Sequence, residues 1–378
     1  MIHYNITIKS TRISFMLLRI FWSLCLWWGI SSSALAEIHL KDVDGREVTL
    51  AAPAQRVYIG FYYEDFLAIN GPDSYQHVVA FSKSDWSLRT SQWPRYQAAL
   101  RRLSQLVDVG SLYNQSFDFE RLLATRPDLL ILAKWQLEGF ANYLPVLQQL
   151  SIPYVVVDFN QGEDAKLTSI RVMGQALGHG ERAERLAIAY QQGIADIRRR
   201  ITQANLPSPK TYIELGDKGP GEYSSSYGTS IWGPLLQQAG ANNIATGVVT
   251  TPSPLRAEYV LSQKPEVIFL AGGDWPKMPN AVSMGFGAKP ETLQQSMTQY
   301  AQRPGWSQFP AIKQTRFYAL YHGGVRTLYD YIFVQFVAKA LFPSAFEDVN
   351  PQRNLETFYE EYLPIKADGV FMQQWQGE

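Results

Sequence analysis

The chain has 378 residues, and its 34 Lys plus Arg balance 34 Asp plus Glu. Hydrophobic residues make up 46% and charged residues only 18%, which excludes a disordered chain. The zero net charge and the lack of basic runs exclude a protein that holds nucleic acid through its phosphates.

At roughly 100–200 residues per domain, the length suits about two domains. The 21 Tyr, 19 Phe and 10 Trp form a heavy aromatic load. Part of it fills cores, and the rest is suited to lining a ligand site.

Lys9, Arg12 and Arg19 precede the apolar run Ile20–Ile30, which leads into Ser31-Ser-Ser-Ala-Leu-Ala36. A basic segment, a short apolar run and a small-x-small site at Ala34 and Ala36 are the anatomy of an export signal. The run is shorter than the about 20 apolar residues that a membrane span needs. Residues 1–36 are therefore read as a signal peptide cleaved near Ala36, with an uncleaved anchor as the alternative. Cys25, the only cysteine, lies in the apolar run, and Leu24 before it does not suit lipid attachment. The mature chain then has no disulfide and no thiol nucleophile.

From residue 37 the pattern turns to β structure. Asp42-Val-Asp-Gly45 is a turn signal between Ile38-His-Leu40 and Glu47-Val-Thr-Leu50, and Arg56–Gly60 reads as a buried strand. Further apolar strands are expected at 78–81, 129–133, 154–158, 211–215, 267–271 and 316–320. Helical patterns separate them, as at 119–125 and 144–150. Apolar strands alternating with helices point to α/β architecture with parallel sheets covered on both faces.

One pattern occurs twice. Phe119-Glu120 through Pro127 to Leu132 and Ala257-Glu258 through Pro265 to Leu270 both place Glu seven residues before Pro. In each an acid follows the Pro and an apolar strand follows the acid. The repetition predicts two similar lobes. Between them, 163–177 forms one helix, Gly178-His-Gly180 breaks it, and 181–204 forms a second. Ala183, Leu186, Ala187, Tyr190, Ile194, Ile197 and Ile201 recur at helical spacing along the second. At 1.5 Å per residue it spans about 36 Å. Pro207 and Pro209 are expected to end it. The division is thus 37–162 for the first lobe, 163–205 for the connecting segment and 206–378 for the second lobe.

On these features the chain resembles the periplasmic binding proteins of ABC importers for iron–siderophores, haem and cobalamin. The residues carrying the resemblance are Asp42–Leu50 with Pro53, Arg56 and Val57; Phe119–Ile131; Ser230-Ile-Trp-Gly-Pro through Asn243-Ile244; and Pro304-Gly-Trp306 with Ala311-Ile-Lys and Arg316–Ala319. The resemblance implies two Rossmann-like lobes with parallel sheets, joined by one long α-helix. It also implies a monomeric periplasmic protein that performs no chemistry and has no cofactor. Its cargo would be a small-molecule metal chelate, most plausibly a ferric siderophore, with haem or a corrinoid as the alternative. Its partner would be a membrane permease, onto which Glu120 and Glu258 would dock. Read from the residues alone, each Glu lies in a first helical turn and simply complements the helix dipole. An exported α/β enzyme is the reading from another class.

Parallel α/β lobes bind ligands beyond the carboxyl ends of their strands. This rule nominates Tyr62, Tyr63, Trp86, Arg89 and Trp135 in the first lobe, and Tyr223, Tyr227, Trp275, His322 and Arg326 in the second. Cations suit the oxygens of a chelate and rings suit its aromatic groups. The resemblance also gives His322 a tentative metal role through the bound chelate, beside a structural hydrogen-bonding role. His39, His77 and His179 have no metal-like neighbours. The Gly-rich 216–221 stretch is not a phosphate loop, and neither a nucleophile elbow nor zincin spacing occurs. Residues 272–300 read as an insertion forming a flexible rim over the cleft.

Overall fold

The Asp-Gly turn closes the first hairpin. Strands β1 (Ile38–Lys41) and β2 (Glu47–Leu50) pair antiparallel, with Gly45 at φ 75° in the turn. Their alternation buries Leu40, Val48 and Leu50. The computed structural model describes residues 1–3, 37–87, 92–275 and 278–377. The leader expected at 1–36 falls almost wholly outside them.

The first lobe holds a five-stranded parallel sheet in the order β5-β4-β3-β6-β7. Its strands are β3 (Val57–Ile59), β4 (Val78–Phe81), β5 (Val107–Asp108), β6 (Leu129–Ala133) and β7 (Tyr154–Val157). Helix α1 (Tyr63–Asn70) follows β3, and α2 (Phe119–Ala124) precedes β6. The Asp42 carboxylate accepts from the backbone N–H of Asp44 and Arg46, and from Val156 at 3.1 Å. The hairpin is thereby pinned along the outer edge of β7.

The chain then leaves the sheet through α3 (Glu163–Ala176) and α4 (Gly180–Ala204). Gly174 lets the two helices touch, since a Cβ there would lie 2.3 Å from the Cβ of Ala183. On α4 the buried side chains are Ala183, Leu186, Ala187, Tyr190, Ile194 and Ile197, the stripe read from the sequence. The helix stops before the prolines, because Asn205 adopts a left-handed conformation and its N–H donates to the Ile201 carbonyl.

The second lobe repeats the plan. Strands β8 (Lys210–Leu215), β9 (Asn242–Asn243), β10 (Val267–Gly272), β11 (Phe317–Tyr321) and β12 (Met372–Gln374) form one sheet, in the order β9-β8-β10-β11-β12. Helix α5 (Ala257–Gln263) leads into β10, and α6 (Asp330–Leu341) and α7 (Pro351–Tyr362) follow β11. Four strands are parallel, while β12 runs antiparallel to β11 at the edge.

Residues Ile38–Glu378 form one compact unit. The connecting helices grip both lobes. On α4, Arg182 donates to the Ala68 carbonyl in α1 and stacks over the Tyr362 ring in α7, 5.1 Å away. Lys166 on α3 forms a buried ion pair with Asp330 at the start of α6, and the Tyr190 hydroxyl donates to the same carboxylate at 3.2 Å.

Leu186 on α4 is buried, 2% exposed. Leu186→Ala should cost about 2–5 kcal/mol of stability, through lost burial and a residual cavity. Urea unfolding measures it, and a cost under about 0.5 kcal/mol would mean the helix packs loosely.

Candidate functional site

An open α/β sheet has its crevice at the carboxyl ends of the strands, where strand order reverses. In the first lobe the reversal lies between β3 and β6. The loops leaving these strands carry Phe61 and Trp135, whose rings meet edge-on with centroids 5.3 Å apart. Trp135 remains 38% exposed.

The matching crevice of the second lobe, between β8 and β10, is filled by the chain itself. The Val282 N–H donates to the Gly216 carbonyl at 2.6 Å, and the Gly273 N–H donates to the Val282 carbonyl at 3.0 Å. Gly285–Phe286 then pairs with Gly369–Val370, and the helix Pro290–Ala301 buries Leu293, Met297 and Tyr300. Within the expected rim, residues 282–300 are therefore a packed part of the second lobe. Val282, Met284 and Phe286 are buried, and that apolar content draws the segment inward.

The second lobe consequently meets the first with the loop that follows β11. Arg326 in this loop exerts its charge on Tyr62 of the first lobe and Tyr227 of the second. Both phenols have raised pKa values. Burial is the main cause, followed by the charge of Asp158 for Tyr62 and of Asp217 for Tyr227; Arg326 opposes the shift in each. A cavity of about 20 Å³ lies beneath, lined by Phe61, Tyr62, Asp85, Gln92, Arg326 and Thr327 among others. It has room for about one water molecule.

Backbone strain collects here. Tyr62 (φ 58°) and Arg326 (φ 66°) both lie in the left-handed region, as does the φ of β-branched Ile231 at 52°. Such conformations are costly for residues with a Cβ and cluster where a side chain must be aimed. Ile231 precedes Trp232, whose indole N–H donates to Nδ1 of His322 at 3.0 Å. Tyr227 lies nearly parallel to the His322 ring with centroids 6.0 Å apart, and Trp275 approaches it at 6.2 Å.

This arrangement speaks against a metal role for His322. A lone pair on Nδ1 that accepts from an indole N–H is occupied, and the neutral ring then carries its proton on Nε2. In this tautomer neither nitrogen coordinates a metal. Among the described residues, no group of three or more His, Cys, Asp or Glu is placed to hold a metal ion.

The other nominated residues separate into groups. Tyr62, Trp135, Tyr227, Trp275, His322 and Arg326 stand around the facing loops. Tyr63 and Trp86 line the inner wall and, like Tyr62 and Tyr227, are buried, at 5%, 2%, 4% and 1% exposure. The Tyr63 and Trp86 rings stack 5.0 Å apart, and the Tyr63 hydroxyl is engaged by the carbonyls of Gly60 and Ser82. Tyr223 belongs to a separate cluster: its hydroxyl accepts from the Trp306 indole, and its ring lies under Arg303, which pairs with buried Glu214. Arg89 falls outside the described residues.

Sequence reasoning missed Glu64, Asp65, Asp158 and Trp232. The first two sit in a first helical turn, where acids usually face solvent, yet all eight residues of α1 are buried.

Glu120 and Glu258 are exposed, each in the first turn of its helix, α2 and α5. Each helix leads into a strand parallel to its neighbours, so it runs back against the sheet. Its first turn therefore lies at the sheet's carboxyl edge, one acid on each lobe.

The profile of the periplasmic binding protein family matches residues 67–322. The chain is a periplasmic binding protein. It is similar to the TroA-like periplasmic binding protein FepB from Veillonella parvula, at 28% identity and a TM-score of 0.86, covering 90% of this chain and 100% of that one. The molybdate-binding protein MolA of Haemophilus influenzae is 22% identical over 89% of this chain and 94% of its own length. A vitamin B12-binding protein of Pectobacterium carotovorum is 26% identical over 53% of this chain and 69% of its own length. Its relatives are thus substrate-binding transport proteins, and this periplasmic binding protein serves an ABC transporter.

In this periplasmic binding protein the tautomer of His322 is open to measurement. Nitrogen-15 spectra at pH 7.5 should show His322 protonated at Nε2, and Trp232→Phe should let the other tautomer appear. An Nδ1-protonated ring in the unaltered protein would contradict the hydrogen bond described.

Proposed function

We propose that the protein, exported by residues 1–36 and acting as a monomer, captures a ferric siderophore between its lobes and delivers it to the permease of an ABC importer. The observation that carries this reading is Arg326, which lines the small cavity at the lobe boundary together with Phe61 and Tyr62 of the first lobe. A guanidinium offers donors to the oxygens of an anionic chelate. Phe61, which shares that lining, Trp135, which meets Phe61 edge-on, and Trp275, which approaches His322, offer rings to catecholate or phenolate groups. In this reading the metal is cargo, held by its chelator, and His322 donates a hydrogen bond to the chelate.

A compact oxyanion is the second reading. It is favoured by the nearly full-length likeness to a molybdate-binding protein. Haem is less well matched, because His322 is engaged at Nδ1 and Tyr62 is 4% exposed, so neither is open as an axial ligand.

Tryptophan fluorescence against ferric siderophores, haem, cobalamin, molybdate and tungstate separates these readings. The expected result is quenching by a ferric catecholate at low concentration, with affinity reduced about 10-fold or more in Arg326→Ala, the loss of a charge-assisted contact. Quenching by oxyanions alone would select the second reading, and silence across the panel would remove both.

The two exposed acids are proposed as permease contacts. Paired carboxylates on a rigid body set its register on a cationic surface. Glu120→Arg with Glu258→Arg should abolish uptake by cells while leaving ligand affinity unchanged. Normal uptake by the double variant would exclude them.

A further inference from the structure

The two lobes reach their exposed acids by the same route. In the first, the edge strand β5 ends at Asp108, a loop follows, and α2 opens with Phe119 and Glu120 before the chain enters β6. In the second, the edge strand β9 ends at Asn243, a loop follows, and α5 opens with Ala257 and Glu258 before β10. Both edge strands run parallel to their neighbours, so both loops leave at the carboxyl edge that carries the acids. Each loop holds one large apolar side chain out in water. Tyr113 is 77% exposed and Val248 is 51% exposed.

A lone exposed apolar residue needs no explanation. Two at matching places, on loops that hold their shape, call for one. The first loop closes on itself: the Ser116 N–H donates to the Ser111 carbonyl at 2.9 Å, Gln115 to the Leu112 carbonyl at 3.2 Å, and the Ser111 N–H to Ser116 Oγ at 3.1 Å. Gly110, at φ 74°, permits the closure, since a Cβ there would lie 2.0 Å from the Ser116 carbonyl oxygen. In the second loop, the N–H groups of Thr246 and Val248 donate to the carbonyls of Asn243 and Ala245, each at 3.1 Å. The hydroxyl of Tyr259, next to Glu258, donates to the Ile244 carbonyl at 2.8 Å and ties this loop to α5. The bonds stand whether or not a partner is present, so the two side chains are displayed in advance.

We propose that Tyr113 and Val248 are the apolar anchors of the surface that docks on the permease, one beside each acid, and that the permease presents an apolar socket next to each cation. The proposal deepens the reading of Glu120 and Glu258 as permease contacts and rests on it. Solvated charges steer and orient an encounter but add little affinity. Affinity comes from side chains that the partner desolvates, tyrosine prominent among them. A loop ordered beforehand presents such a side chain without a further entropic cost. Tyr113 is also set apart from the cargo loops, because β5 lies two strands from β3, where the strand order reverses.

The test compares two affinities of the mature protein: for its ABC importer in lipid nanodiscs, and for a ferric tris-catecholate complex by tryptophan fluorescence. Tyr113→Ala should weaken importer binding about 10-fold, and adding Val248→Ser should weaken it further. Tyr113→Phe keeps the ring and should bind as the parent does. All three should bind the tris-catecholate complex as the parent does, with native far-ultraviolet circular dichroism. Glu120→Arg with Glu258→Arg is measured in parallel. Normal importer binding by that variant would remove the docking reading and this proposal with it. Its loss beside normal binding by the Tyr113→Ala, Val248→Ser variant would overturn the anchors alone. A Tyr113→Ala protein that loses affinity for the tris-catecholate complex would assign the ring to the cargo and overturn them as well.

Discussion

Burying charge is costly unless donors come with it, and that constraint governs how the two lobes of this protein meet. Glu64 and Asp330 lie at the lobe boundary, 5% and 0% exposed. An isolated buried carboxylate carries a penalty of several kcal/mol. Here the penalty is offset only if α1, the loop after β11, α7 and α3 all arrive in one arrangement. Burial raises the pKa of Asp330, and the Lys166 ammonium opposes the rise. Apolar contacts alone would tolerate sliding of one lobe on the other, because they have no direction. Hydrogen bonds to a fixed carboxylate do not.

The two lobes share a plan but not a role. In the first, the buried Gln136 side chain bridges the ends of β3 and β6, donating to the Gly60 carbonyl and accepting from the Ala133 N–H, and Phe61 and Trp135 stand on the loops that leave these strands. In the second, the backbone of Val282 bridges Gly216 and Gly273 and closes the equivalent crevice. A duplicated architecture has thus become asymmetric through one inserted segment. The candidate site groups of the second lobe come from the loop after β11 instead, where the Trp232 indole donates to His322 and Arg326 has a left-handed backbone.

Much of the fold was legible because it rests on periodicity. Strands such as Leu129–Ala133 and Val267–Gly272 are apolar throughout, and the α4 stripe repeats at helical spacing. The site was legible only as loops. The rule that ligands gather at carboxyl ends nominated Tyr62, Trp135, His322 and Arg326. It could not separate them from Tyr63, Trp86 and Tyr223, because residue type does not say whether a ring turns into the core. Glu64 was invisible for a related reason. Its four donors, Gln92, Tyr96, Tyr329 and Tyr359, lie at sequence separations of 28, 32, 265 and 295 residues, and no local pattern encodes such a meeting. The insertion was misjudged on its Gly, Pro and Met content, while its buried Val282 and Phe286 decided the outcome.

The hairpin at the start of the folded body has a consequence of its own. Strand β7 ends its sheet, and an uncovered terminal strand invites pairing with a second chain. Asp42 occupies the Val156 N–H, and the Val43 N–H occupies the Val156 carbonyl. Both main-chain groups that a stranger would need are already taken at this position. A turn that looks like a mere family signature thereby acts as a guard against polymerisation.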